Sequence, residues 1–322
     1  MNIDFEPDIV IEDDFAIVDL VEILCLTNLD NSITRSDFLN RYLKLKERKS
    51  VSEKNTSGSK EHSEISDNDF TYSEDIFNQL EYRIRLYEDY YPFNYDESNE
   101  RLTVKERSVK GDLYIFFLLC VYHNCFDDST DRKLDGKFEE ISKIVLESYL
   151  SKNAEIHLFG KNSTHGGKFT QINKLKERIV ALAESLDEEP ILKRIDGLKE
   201  TDTGDGGVDI VAWLPFEDGN YPVPVFLCQC TIGKDWIRGK HLESSVINFN
   251  YIAFTGIPYS MLCIPHLFRN SENKWYSDYR MGSFILIDRH RSMSLLKNLD
   301  KIKVEYKEFV DFIVDYSEKP IG

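Results

Sequence analysis

The chain has no apolar run approaching the 18 or more residues that a membrane-spanning helix requires. Its opening, Met1-Asn2-Ile3-Asp4-Phe5-Glu6, lacks the basic and apolar regions of a secretory leader, so a cytoplasmic protein with no membrane association is expected. Basic charge is short: 40 Lys+Arg stand against 57 Asp+Glu, a net charge of −17. Such a balance opposes unaided adhesion to nucleic acid, whose affinity comes largely from cations neutralising phosphates. Only six cysteines occur, Cys25, Cys120, Cys125, Cys228, Cys230 and Cys263, without disulfide or zinc spacing. They are expected as reduced core residues.

The deficit is uneven. Residues 1–150 hold 33 acidic against 18 basic residues, and residues 151–322 hold 24 against 22. An acidic first half suits a basic protein surface or screens a site, whereas a near-neutral second half has room for a local cationic cleft. The length fits two domains. The expected division is an acidic, mainly α-helical domain at 1–150, with a flexible polar segment at 50–69, and an α/β domain at 155–322.

Helical spacing of apolar positions marks 16–29, 34–48, 73–90, 112–125 and 136–150, with Leu113 to Leu119 at the centre of the first half. The basic residues Arg41, Lys44, Lys46, Arg48 and Lys49 are read as a solvated helix face, and the tyrosines Tyr82, Tyr87, Tyr90, Tyr91 and Tyr95, amid acids, as packing or a protein interface. In the second half a helix is expected at 170–186, strands at 191–195, 208–214 and 223–231, a helix at 238–248, strands at 259–263 and 284–288, and a closing helix at 305–315. That order predicts an α/β sandwich with a mixed central sheet.

The most chemically specific stretch is Thr203-Gly204-Asp205-Gly206-Gly207-Val208-Asp209-Ile210, followed by Val225-Phe226-Leu227-Cys228-Gln229-Cys230-Thr231. It reads as a glycine turn, a strand bearing a carboxylate, and a second strand ending in polar residues. A carboxylate flanked by apolar neighbours needs a cation or donors; a turn cap or an Arg partner would also satisfy Asp209. Alternation places Gln229 and Thr231 on one face of their strand, opposite Cys228 and Cys230. An amide oxygen and a carboxylate are hard ligands suited to Mg²⁺ or Mn²⁺.

This arrangement resembles the core of the PD-(D/E)xK, or restriction-endonuclease-like, nuclease superfamily, and its Mrr-like branch, which pairs a Gly-Val/Ile-Asp strand with a Gln-x-Lys strand. The resemblance spans about Thr203 to Trp236. It implies a restriction-endonuclease-like sandwich behind a mostly α-helical N-terminal domain, and Mg²⁺- or Mn²⁺-dependent hydrolysis of DNA in a bacterial restriction or anti-phage system. Asp209 and Gln229 would be the ligands, with Asp205 as an additional metal-side carboxylate or a turn residue. The chain departs from the pattern where the lysine belongs, at Thr231. The resemblance then points to Lys234 as a relocated catalytic cation, or to Lys240 on the following helix, with Trp236 over the strand end. A helicase or ATPase docking on the acidic half would bring the DNA. The alternative is a catalytically degenerate subunit serving as an assembly or sensor module, and RNA is a third substrate class.

Other features carry less. The superfamily's helix acid is sought on 170–186, where Ile172, Leu175, Ile179, Leu182 and Leu186 form the inward stripe. Glu177 and Glu184 fall on the opposite face, and Gln171 lies nearer the stripe. Asp127 to Glu139 lacks the glycine and spacing of a calcium loop and is read as an exposed acidic loop. Cys120, His123 and Cys125 scatter around a helix, and His165-Gly166-Gly167-Lys168 lacks phosphate-loop spacing. His241, His266 and His290 have no surrounding motif.

Overall fold

The computed structural model describes residues 14–42, 67–160, 167–233, 249–275, 284–296 and 299–316. Contacts divide the chain into two units, one of residues 1–127, 266–276 and 306–322, the other of 128–265 and 277–305.

The first unit is built on helices α1 (Asp14–Thr27), α2 (Asp67–Tyr87) and α3 (Val109–Val121), with strands β1 (Ser32–Thr34), β2 (Phe93–Asp96) and β3 (Arg101–Val104). The strands form an antiparallel sheet in the order β1-β3-β2, an element that helical patterning alone does not anticipate. The helix expected over 34–48 is helical from 35 to 42, and its remaining residues lie outside the described ones. Helix α3 is the expected central one: Gly111 to Val121 are all buried, and the Ser108 hydroxyl caps it by accepting the Gly111 N–H at 3.0 Å.

Ionic side chains sit within this core. Asp19 and Glu22, three apart on α1, both pair with the buried Arg83 of α2. Tyr91 and Tyr114 donate to Glu22 at 2.7 and 2.8 Å. Tyr87 and Tyr91 pack edge-on against Tyr114, so these tyrosines are core residues.

The second unit is mixed α/β. Strands β4 (Glu155–Leu158), β6 (Ile210–Trp213), β7 (Val225–Cys230), β9 (Tyr259–Cys263) and β10 (Ile285–Ile287) form one sheet in the order β10-β9-β7-β6-β4, with the short pair β5 (Glu189–Pro190) and β8 (Ile252–Ala253) separate from it. Pairings β4–β6 and β6–β7 are antiparallel, and β7–β9 and β9–β10 are parallel. Helix α5 (Leu175–Ser185) covers one face: its Leu175, Ile179 and Leu182 share a core with Val211, Trp213, Val225 and Leu227. Helix α4 (Asp128–Tyr149) packs on the sheet through β4 and β7. Helices α6 (Leu192–Ile195) and α7 (Arg289–Leu295) also belong to this unit, and α8 (Leu299–Tyr316) runs from it into the first unit, which holds residues 306–316.

Two local expectations are overturned. Residues 191–195 form a helical turn instead of a strand, closed by Arg194 N–H and Ile195 N–H on the Ile191 carbonyl. The apolar residues there fit a strand poorly, because Ile191 and Ile195 are four apart, as on one turn of helix, and Leu192 is exposed. Asp127 to Glu139 is not an exposed acidic loop. From Asp128 it is the first half of α4, with Leu134, Phe138 and Glu139 buried, because Leu134, Phe138 and Ile141 recur at helical spacing. The helix expected at 238–248 lies outside the described residues.

Candidate functional site

Strands β6 and β7 carry the site. Gly206 and Gly207 have φ of +68° and +84°, a region open to glycine, and this sharp turn delivers Asp209 to the start of β6. Register pairs Ile210 with Cys228, so Asp209 lies one step further along, beside Gln229 on the neighbouring strand. The ladder changes there. The Asp209 N–H donates to the Cys228 carbonyl at 2.9 Å, and the Asp209 Oδ2 accepts the Cys230 N–H at 2.7 Å. Asp209 and Gln229 are only 3% and 6% exposed.

Around the other Asp209 oxygen lies a pocket of acids. A Cβ built on Gly160 would stand 3.5 Å from Asp209 Oδ1, 3.6 Å from Glu139 Oε2 and 3.8 Å from the Asp205 Cβ. Gly160 therefore stands against the carboxylates of Asp209 and Glu139 and the Asp205 Cβ, which come from three segments. Burial, then the charges of Glu139 and Asp205, push the Asp209 carboxyl well above the usual carboxylate range, against the Cys230 N–H; Asp135, one turn before Glu139 on α4, adds to the upward push. Asp205 is half-buried and its Oδ1 accepts the Gly207 N–H at 2.7 Å, the turn role that was one of the two read for it.

The Gln229 Oε1 is buried without a hydrogen-bond partner, while its amide nitrogen reaches the Cys230 carbonyl at 3.4 Å. A buried amide oxygen without a donor is a hard ligand of the kind Mg²⁺ or Mn²⁺ takes. Among the described residues these carboxylate oxygens do not close into a three-ligand group within 4.8 Å.

Thr231 is 8% exposed, and its N–H donates to the Cys263 carbonyl at 3.1 Å. Lys234, Lys240, Trp236 and His241 lie outside the described residues. On α5, Glu177 and Glu184 are exposed as expected, and Gln171 is exposed and precedes the helix.

Sequence reasoning missed two residues. Glu139 brings a buried carboxylate from α4, which sequence placed with the N-terminal half; the signal was its position one residue after Phe138 on an amphipathic helix. Arg178 is the other. Fully buried on α5, it donates to the carbonyls of Phe159, Thr203 and Gly204, tying together the two segments that flank the acid pocket. Burial lowers its pKa from the ordinary guanidinium value, and the Asp205 and Asp202 charges oppose that shift. Its signal was a basic residue directly beside the apolar stripe position Ile179.

No protein-family model, no curated protein and no solved structure matches this chain. No described helix is long and apolar enough to cross a membrane.

Proposed function

We propose that the second unit hydrolyses DNA phosphodiester bonds with Mg²⁺ or Mn²⁺ held by Asp209, Gln229 and Glu139. The reading is that of a restriction-endonuclease-like domain, serving in the cytoplasm as one subunit of a bacterial restriction or anti-phage system. The observation that carries it is the approach of Asp209 Oδ1 and Glu139 Oε2 to Gly160, with Gln229, whose Oε1 has no hydrogen-bond partner, next to Asp209 in the strand register. The antiparallel β4-β6-β7 run followed by parallel β9, with α4 contributing an acid, supports the same reading.

A divalent cation there would activate water and stabilise charge on the phosphate. The chain's own residues do the placing. Asp209 is fixed by the Cys230 N–H, Asp205 shapes the turn and lends negative charge, and Arg178 holds both flanking segments. Lys234 is proposed as the cation that orients the nucleophile in place of the usual lysine. A helicase or ATPase meeting the acidic first half would present the DNA.

The test is cleavage of plasmid DNA by the full chain with Mg²⁺ or Mn²⁺. Asp209→Ala should abolish cleavage while circular dichroism stays unchanged, and full activity in that variant overturns the proposal. An RNA substrate run in parallel decides the nucleic-acid class.

A second reading rests on Thr231 in the lysine position and on the burial of Asp209 and Gln229. Here the domain keeps the nuclease scaffold and works as an assembly or sensor module. Mn²⁺ titration separates the two: binding that depends on Asp209 favours catalysis, and its absence favours the scaffold.

A further inference from the structure

Three of the six cysteines, scattered in sequence, meet in the second unit. Cys228 and Cys230 are two apart on β7 and so share a face, and the parallel register sets Cys263 of β9 directly opposite Cys230. The Cys228 and Cys263 sulfurs are 3.6 Å apart, and all three sulfurs lie within 4.8 Å of one another. Among the described residues this is the one group of three or more His, Cys, Asp or Glu side chains that closes so tightly. All three are buried, and the Ser142 side chain of α4 lies next to the Cys263 thiol.

We infer that Cys228, Cys230 and Cys263 form a site for one thiophilic d¹⁰ cation of the zinc class. A metal–sulfur bond of about 2.3 Å sets ligand sulfurs about 3.8 Å apart in a tetrahedron and about 4.0 Å apart in a trigonal plane. The observed triangle therefore needs its 3.6 Å edge to lengthen slightly and no edge to shorten by more than about 1 Å, within reach of small χ1 rotations. The donor set is wholly sulfur, which selects zinc or monovalent copper over the hard ions suited to the acid pocket. A divalent ion leaves less net charge in this dry position than a monovalent one, and so is the better match. Binding balances as M²⁺ plus three thiols giving an M(S)₃ centre of charge −1 and three released protons. The Ser142 hydroxyl is placed to orient the Cys263 sulfur in the manner of an outer-shell partner. Because β7 also carries the Cys230 N–H that holds Asp209, an ion here would stiffen the strand supporting the acid pocket.

The test needs no activity and is independent of the nuclease proposal. Reduced full-length chain is titrated with Cd²⁺, and its thiolate-to-metal charge-transfer absorption is recorded. Zinc content is measured by mass spectrometry on protein purified without chelator. One Cd²⁺ per chain is expected, with the band lost in Cys263→Ala and kept when Cys120 and Cys125 are both replaced by Ala. Wild-type melting, followed with Zn²⁺ and with a soft-metal chelator, covers the case in which Cys263→Ala fails to fold; a higher melting temperature with Zn²⁺ is expected. Absence of a band in the wild type, a band unchanged in a folded Cys263→Ala, or metal-independent melting overturns the inference.

Discussion

The carboxylate of Asp209 accepts the backbone N–H of Cys230 across the end of the β6–β7 pair, at 2.7 Å. A side-chain oxygen thus takes the place of a ladder carbonyl, and the acid is locked to the sheet by its partner strand. One oxygen is spent on this bond; the other lies near the Gly160 space. Backbone donors of this kind let a buried carboxylate be tolerated without a full ion pair.

Asp209→Asn keeps an oxygen for the Cys230 N–H but removes the carboxylate that burial and the Glu139 and Asp205 charges oppose. The metal-free variant should be at least as stable as the wild type, by up to about 1 kcal/mol, or roughly 2–4 °C in melting temperature. Cleavage should be lost. A variant that melts well below the wild type would mean that the acid is a structural residue.

Gly160→Ala is the most discriminating change. The added methyl would meet its neighbours at 3.5–3.8 Å, ordinary contact distances, and Gly160 is not among the glycines with positive φ. Stability should shift by less than about 1 kcal/mol. The methyl would nevertheless occupy the space between Asp209 and Glu139, so Mn²⁺ affinity and cleavage should fall together. Calorimetric Mn²⁺ titration alongside thermal melting checks both halves.

Glu139→Gln preserves the shape of the α4 side chain while removing its charge. If Glu139 is a ligand, the variant should need more Mg²⁺ for the same cleavage rate, by roughly 10- to 100-fold, with near-normal melting. An unchanged Mg²⁺ dependence would remove it from the site.

Arg178→Met would leave the Phe159, Thr203 and Gly204 carbonyls without their shared donor. A loss of roughly 2–4 kcal/mol is expected in urea denaturation, with partial rescue by Arg178→Lys, whose ammonium lacks the planar fork. In the first unit Arg83→Met should be as damaging, by about 3–5 kcal/mol, because Asp19 and Glu22 would remain buried without their cation.

The hairpin Val208–Thr231 was legible because glycines, alternation and an acid amid apolar residues are all local signals. Glu139 was not, since assigning a helix to the sheet depends on contacts between residues 139 and 209, which no local pattern encodes. The cysteines were passed over for a similar reason: Cys230 and Cys263 stand 33 positions apart and meet only through the β7–β9 register.

Composition and periodicity by themselves determined the acidic first half, a core helix around Leu113 to Leu119, the strands β6, β7, β9 and β10, and the type of ligand atom Asp209 and Gln229 can offer. Tertiary structure alone decided that α4 lends its acid to the pocket, that Arg178 points inward to hold two loops, and that three sulfurs share one point. The division has a physical cause. Backbone preference and the burial of one face act over a few residues and leave a periodic trace, whereas convergence of polar groups is set by strand order and helix packing.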